Sequence, residues 1–411
     1  MTTEERLSTR EAAERLGVKP ETVYAYVSRG LLSSRRAPGG RGSTFDPEEV
    51  DALVRRTRRA AQQPAEDAGT GPVRTAITLI DRDRYYFRGV DATALAERYG
   101  YEEVAEWLWT GVLRRGVRFI SPPQALEAAR RAVAALPGHS GPMDRLRATA
   151  VAAAVADPLR FDLSPEAVLG AARGLIPTLV RALPPAGTPH RGGGRLAWRL
   201  WSRLSGHPAD EASLRVLDAA LVLLIDHDLA ASTLAVRIAA SARAHPYAVV
   251  SAGLGALDGP LHGAASGLAH RMLTEVLDRG SAAPVVADHL RAGRSVPGLG
   301  HRLYAAEDPR AVMLFRLLED VPYAAPALAA AREVAGTTAR HTPLHANVDL
   351  ALAVLSVSAG MLPEAGETIF SVARTAGWIA HALEEYGEPP LRMRPSGLYV
   401  GPRPPQPVPM P

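Results

Sequence analysis

The sequence predicts a mainly α-helical protein, a helical body preceded by a small helix-turn-helix domain. Stretches such as residues 145–156 and 211–225 are rich in Ala, Leu and Arg and contain no Gly or Pro. Those residues lose little freedom in a helix, so the body reads as helical. Strand-like alternation is scarce outside residues 76–87. The length of 411 residues suggests two or three domains. The front end, residues 1–60, carries its own pattern of two short helical segments around a Gly-containing turn.

In the front domain, Ser8-Thr9-Arg10-Glu11 reads as a capping box opening a helix through Leu16. Gly17-Val18-Lys19 makes a turn, and Pro20, tolerated in a first helical turn, opens a second helix through about Arg29. A Gly/Arg-rich loop carrying Arg35, Arg36 and Arg41 follows, and then Phe45. Asp46-Pro47-Glu48-Glu49 caps a third helix that ends in Arg55-Arg56-Thr57-Arg58-Arg59. The arrangement resembles the winged-helix DNA-binding domains of the MerR and excisionase type. That resemblance implies a second helix in the major groove and a basic wing on the phosphates. Helical spacing puts Thr22, Tyr24, Ala25 and Arg29 forward as the DNA-facing side, with Arg35, Arg36 and Arg41 on the wing. Residues 1–60 hold twelve basic and nine acidic residues, most of the chain's net charge of +4. The plainer alternative is a helical hairpin that binds protein rather than DNA.

Residues 61–72 are polar and punctuated by Pro and Gly, as a linker would be. Residues 184–194 read as a surface loop, and residues 403–411 as an extended Pro-rich tail. There is no cysteine, which excludes disulfides and any acyl transfer through a thiolate. Lys19 is the only lysine and lies far from the motifs below, which leaves little room for Schiff-base chemistry. No apolar run reaches membrane-spanning length and no signal-peptide core is visible, so a soluble cytoplasmic protein without a membrane partner is expected.

Three short stretches carry chemistry: Gly259-Pro260-Leu261-His262-Gly263, Pro297-Gly298-Leu299-Gly300-His301 running to Asp308-Pro309-Arg310, and Asn347-Val348-Asp349. They supply two histidines beside glycines and one carboxylate, with no spacing that suits a metal. Such groups fit removal of a weakly acidic C–H proton while donors meet the charge developing on oxygen. With their order, with Asp226-His227-Asp228 followed by Ala231-Ser232-Thr233, with Arg374-Thr375-Ala376-Gly377-Trp378, and with Arg394-Pro395, the chain resembles the citrate synthase family over residues 75–402.

The resemblance implies a citrate synthase-like fold with a large domain from 73–258 plus 363–402 and a small one from 259–362 that closes over the substrates. It implies Asp349 as base, His262 as donor to the enolate oxygen, and His301 as the group that polarises a ketone and protonates the alkoxide. His227, Arg310, Arg374 and Arg394 would bind oxaloacetate, since guanidinium groups grip carboxylates with paired hydrogen bonds. Arg394 would reach the partner's site, making a homodimer obligatory. No cofactor is implied beyond a coenzyme A thioester as co-substrate, acetyl-CoA giving citrate or propionyl-CoA giving 2-methylcitrate. The plain alternatives are Asp349 as a helix cap, the two histidines as loop residues bonded to backbone, and Arg310 as a helix brace. Departures from the family pattern fall at Ala230, Ser266, Ala305, Ser396 and the run Leu350-Ala351-Leu352-Ala353. The rival reading is a DNA-binding regulator whose synthase-like domain senses an oxo-acid or acyl-CoA without turnover.

Overall fold

The computed structural model describes residues 6–18, 20–28, 32–36, 43–62, 73–187, 194–259, 262–393, 398–403 and 406, with backbone alone for 21, 25, 28, 36 and 55–62. The chain divides into two compact units, residues 1–72 with 394–411 and residues 73–393.

In the first unit the capping box forms as the sequence indicates. Glu11 N–H donates to Ser8 Oγ at 3.3 Å, and Ser8 N–H to the Glu11 carboxylate at 2.7 Å. Two helix-end donors are thereby satisfied, and the helix runs Thr9–Leu16. The second helix is Pro20–Ser28 and the third Pro47–Gln62. Strands Ser34–Arg36 and Ser43–Phe45 pair antiparallel, and Leu7–Ser8 adds to the far edge of the second. Ala12, Ala13, Val23, Leu32, Phe45 and Val50 close a core of their own. Arg15 and Asp51 tie the first helix to the third through two bonds of 2.7 and 2.8 Å.

The second unit begins with a three-stranded sheet, Thr78–Asp81, Arg84–Phe87 and Val90–Asp91. The tight turn at Arg82 and Asp83 puts both residues at positive φ. Helices make up nearly all the rest. The longest, Ala365–Tyr386, is buried along most of its length against Ala231–Ser241, Pro246–Leu257 and Pro165–Ala182. It sits close to the end of Glu211–Leu223, where a Cβ on Gly377 would lie 2.0 Å from the Ile225 carbonyl oxygen. The helix Val348–Ser358 is mostly apolar, and Leu350, Ala351, Leu352 and Ala353 are all buried in it.

Candidate active site

The glycine loop around residues 297–301 is zipped to the segment that leads into Val348–Ser358. Gly300 N–H donates to the His345 carbonyl at 2.7 Å, Asn347 N–H to the Gly298 carbonyl at 2.9 Å, and Asn347 Nδ2 to the Gly300 carbonyl at 2.8 Å. Gly298 has φ +80°, and a Cβ there would meet Leu350 Cβ at 2.7 Å, so only glycine lets the loop lie this close. These bonds link the backbone that carries His301 to the helix start that carries Asp349.

Asn347, not Asp349, caps that helix, with its Oδ1 accepting Asp349 N–H at 3.0 Å. The carboxylate of Asp349 is therefore not used as a cap. Burial pushes its pKa up to about 6; Arg310 opposes the rise and Asp308 adds to it. Asp308 accepts two bonds from the Arg310 guanidinium, at 2.9 and 2.7 Å, and also Val348 N–H at 3.0 Å. One buried carboxylate thus orients both the arginine and the helix bearing Asp349. Burial disfavours the Arg310 charge, but Asp308 outweighs it and holds the pKa above the ordinary value.

His301 Nδ1 accepts Leu303 N–H at 3.1 Å, which leaves the proton on Nε2. Burial, with Arg310 second, lowers its pKa to about 4, so the ring is a neutral donor near neutral pH. His262 Nε2 lies 2.8 Å from Ser232 Oγ, and burial with Arg374 lowers its pKa too. His227 is buried, with Nε2 2.6 Å from the Tyr304 hydroxyl.

Arg374 is the most exacting group in the wall. Its Nε donates to the Leu224 carbonyl at 2.9 Å, while Nη1 and Nη2 are buried with no partner. Burial lowers its pKa to about 10, with Asp226 partly opposing, so it remains charged. A buried guanidinium with two empty donors is costly unless an anion fills the space.

His227, His262, His301, Arg310, Asp349 and Arg374 all line one cleft of about 360 Å³, where the Phe370 ring lies 4.4 Å from the Arg374 guanidinium. Arg394 lies outside the described residues, as do Arg29, Arg41 and Ser396. On the second front-domain helix Tyr24 is exposed and Thr22 half-buried; Arg35 is exposed on its strand. For Ala25 and Arg36 the backbone alone is described. Sequence reading gave no role to Ser232, Asp308 or Tyr304, although each stands within a stretch quoted above. For Asp308 and Tyr304 a polar residue two or three positions from a motif arginine or histidine was the available signal; Ser232, five positions after His227, had only its place in the Ala231-Ser232-Thr233 stretch. Ala230 caps the helix Ala231–Ser241 without a side-chain bond, and Ala305 gives its N–H to Asp83 at 2.8 Å. Among the described residues no group of three His, Asp or Glu could hold a metal ion, and no helix is long and apolar enough to cross a membrane.

A family model for the citrate synthase C-terminal domain matches residues 68–396, and one for a helix-turn-helix domain matches residues 6–58. The chain spans about half the length of several curated relatives it matches. One is citrate synthase from Haloferax volcanii, 36% identical over 206 residues, 48% of this chain and 53% of that protein. A 2-methylcitrate synthase from Mycobacterium tuberculosis is 28% identical over 347 residues, 80% of this chain and 88% of its own. The crystal structure of citrate synthase from Pyrobaculum aerophilum superposes with a TM-score of 0.68 at 26% identity, covering 83% of this chain and 93% of that one. On a family match that takes in the cleft and nearly all of its surrounding helices, the chain belongs to the citrate synthase family.

Proposed function

We propose that residues 73–402 condense a short acyl-CoA, acetyl or propionyl, with oxaloacetate and hydrolyse the resulting thioester to give citrate or 2-methylcitrate and free coenzyme A. The observation that carries this reading is the pair of empty Arg374 donors in the same cleft as Asp349, His262 and His301. In this reaction Asp349 takes a proton from the carbon beside the thioester carbonyl. His262, oriented by Ser232, donates to the enolate oxygen, worth about 3–4 kcal/mol by analogy with oxyanion-hole donors. The enol carbon attacks the ketone of oxaloacetate, and His301 gives its Nε2 proton to the alkoxide that forms. Water then cleaves the thioester. Arg310 and Arg374 take the carboxylates, and His227 gives a further contact. Arg394 of a second copy completes the site in a homodimer, and residues 259–362 act as a lobe that closes over the substrates.

The acyl group stays open between acetyl and propionyl, because one methylene changes pocket binding by only about 1–3 kcal/mol. The experiment is release of free coenzyme A, followed with a thiol reagent, from acetyl-CoA and propionyl-CoA with oxaloacetate, for wild type and Asp349→Ala. The protein has no cysteine to react in that assay. Turnover lost by about a thousandfold or more in the variant is expected. No turnover of either thioester by folded wild type would leave the cleft a sensor.

A second activity is motivated by the helix-turn-helix match over residues 6–58. We propose that the front domain binds DNA through the exposed side of its second helix, including Tyr24, and through the Arg35 strand.

A further inference from the structure

Tyr304 stands three residues after His301 and is only 6% exposed. Its hydroxyl lies 2.6 Å from His227 Nε2. Its ring packs 4.9 Å from the His301 ring and 5.4 Å from the His227 ring, centroid to centroid, and the Arg310 guanidinium sits 5.8 Å from its centre. The loop is also held just beyond Tyr304, where Asp83 accepts the N–H groups of Ala305 and Ala306 at 2.8 and 3.4 Å. The phenol is therefore fixed in place by packing on one side and backbone bonds on the other.

Which partner donates follows from counting protons. The phenol keeps its proton, since burial raises its pKa above the ordinary value. Among the described residues His227 Nε2 is the one group its hydroxyl meets. Were Nε2 the donor, the buried phenol proton would have no acceptor, a loss of about 1–3 kcal/mol in a typical interior. The phenol therefore donates and Nε2 accepts. A neutral ring then carries its proton on Nδ1, and His227 is neutral because burial, with Arg310 and Arg374, holds its pKa well below the usual value. No described protein group accepts from Nδ1, and the residue lines the cleft.

We propose that Tyr304 is a positioning residue that locks His227 in the Nδ1–H tautomer, so that this proton is presented to an oxygen of the oxo-acid. The substrate part of this inference rests on the reaction proposed above; the tautomer part does not. His301 is set the opposite way by Leu303 N–H. Two neutral rings whose centres are 5.1 Å apart thus carry their protons on different nitrogens, each chosen by a neighbour on the same loop.

The test uses the full chain labelled with ¹⁵N-histidine, with His227→Gln to assign the ring, and long-range ¹H–¹⁵N spectra at neutral pH. Wild type is expected to show a protonated Nδ1 and a pyridine-like Nε2 at His227, and Tyr304→Phe to move the ring toward the Nε2–H form. The same variant is expected to raise KM for oxaloacetate about three- to tenfold, the size of one neutral hydrogen bond, with kcat changed less than about twofold. An Nε2–H signal in wild type, or a His227 signal that Tyr304→Phe leaves unmoved, overturns the proposal. Failure of Asp349→Ala to abolish turnover would instead overturn the reaction and leave the tautomer result standing.

Discussion

At the scale of single residues, the cleft is built from groups that the fold holds at a cost. Asp349 has a pKa near 6 against an ordinary 3.8. A carboxyl whose folded pKa is raised favours the folded state only while protonated. That contribution is complete below about pH 4 and is lost as pH rises through about 6. Asp349→Asn is therefore expected to raise the melting temperature at pH 8 but not at pH 4. The gain should be about 1–2 kcal/mol, less than a shift of about two units allows, because the side chain keeps some exposure to the cleft. The same shift gives activity an acid limb near pH 6, since the base must be ionised, while His301 stays neutral down to about pH 4. Equal melting curves of wild type and variant at pH 8 would count against a desolvated base. Arg374 makes the complementary case. Oxaloacetate alone is expected to raise the wild-type melting temperature by mass action, and Arg374→Met to lose that response. The unliganded variant should lose no more than about 1–3 kcal/mol, because only the Nε bond to the Leu224 carbonyl is given up and neither Nη had a hydrogen-bond partner. An undiminished oxaloacetate shift in the variant would take Arg374 out of the binding site.

At the scale of elements, two contacts decide where those residues stand. The glycine loop and the start of Val348–Ser358 share three hydrogen bonds, and Asp308 ties that helix to Arg310. The other contact is the approach of Ala365–Tyr386 to Ile225 at Gly377. Gly377→Ala would force a Cβ into the Ile225 carbonyl, next to Asp226 and His227. It is expected to destabilise by about 3 kcal/mol or more, visible as a lower urea midpoint. A neutral substitution there would show that the two elements can separate freely. Elements were also where the sequence was easiest to read. The Ser8–Glu11 capping box, the Pro20 helix start and strands within residues 76–87 all formed where local chemistry put them, because caps and strand alternation are settled within a few residues. The cap on Val348–Ser358 was less legible, since Asn347 and Asp349 are both good capping residues and only backbone geometry chooses between them.

At the scale of the whole molecule, each unit has its own buried core. Removing residues 1–72 is therefore expected to leave coenzyme A release within about twofold while abolishing any DNA binding, as read by steady-state kinetics and by fluorescence anisotropy with a labelled duplex. DNA affinity should fall steeply with salt, as phosphate contacts by arginines require. Loss of turnover on truncation would show that the front domain supports the synthase unit. The sequence by itself determined the family, the helical class, the front domain and the residue types of the cleft, because motif order and cap chemistry are written along the chain. The tertiary structure decided what each residue has left to offer. It left both Nη atoms of Arg374 unpartnered, gave the guanidinium of Arg310 to Asp308, lifted the pKa of Asp349 through burial, and brought Tyr304 to His227 across 77 positions of sequence. Desolvation and the filling of hydrogen-bond donors depend on neighbours that are distant in the chain, and no local pattern encodes them.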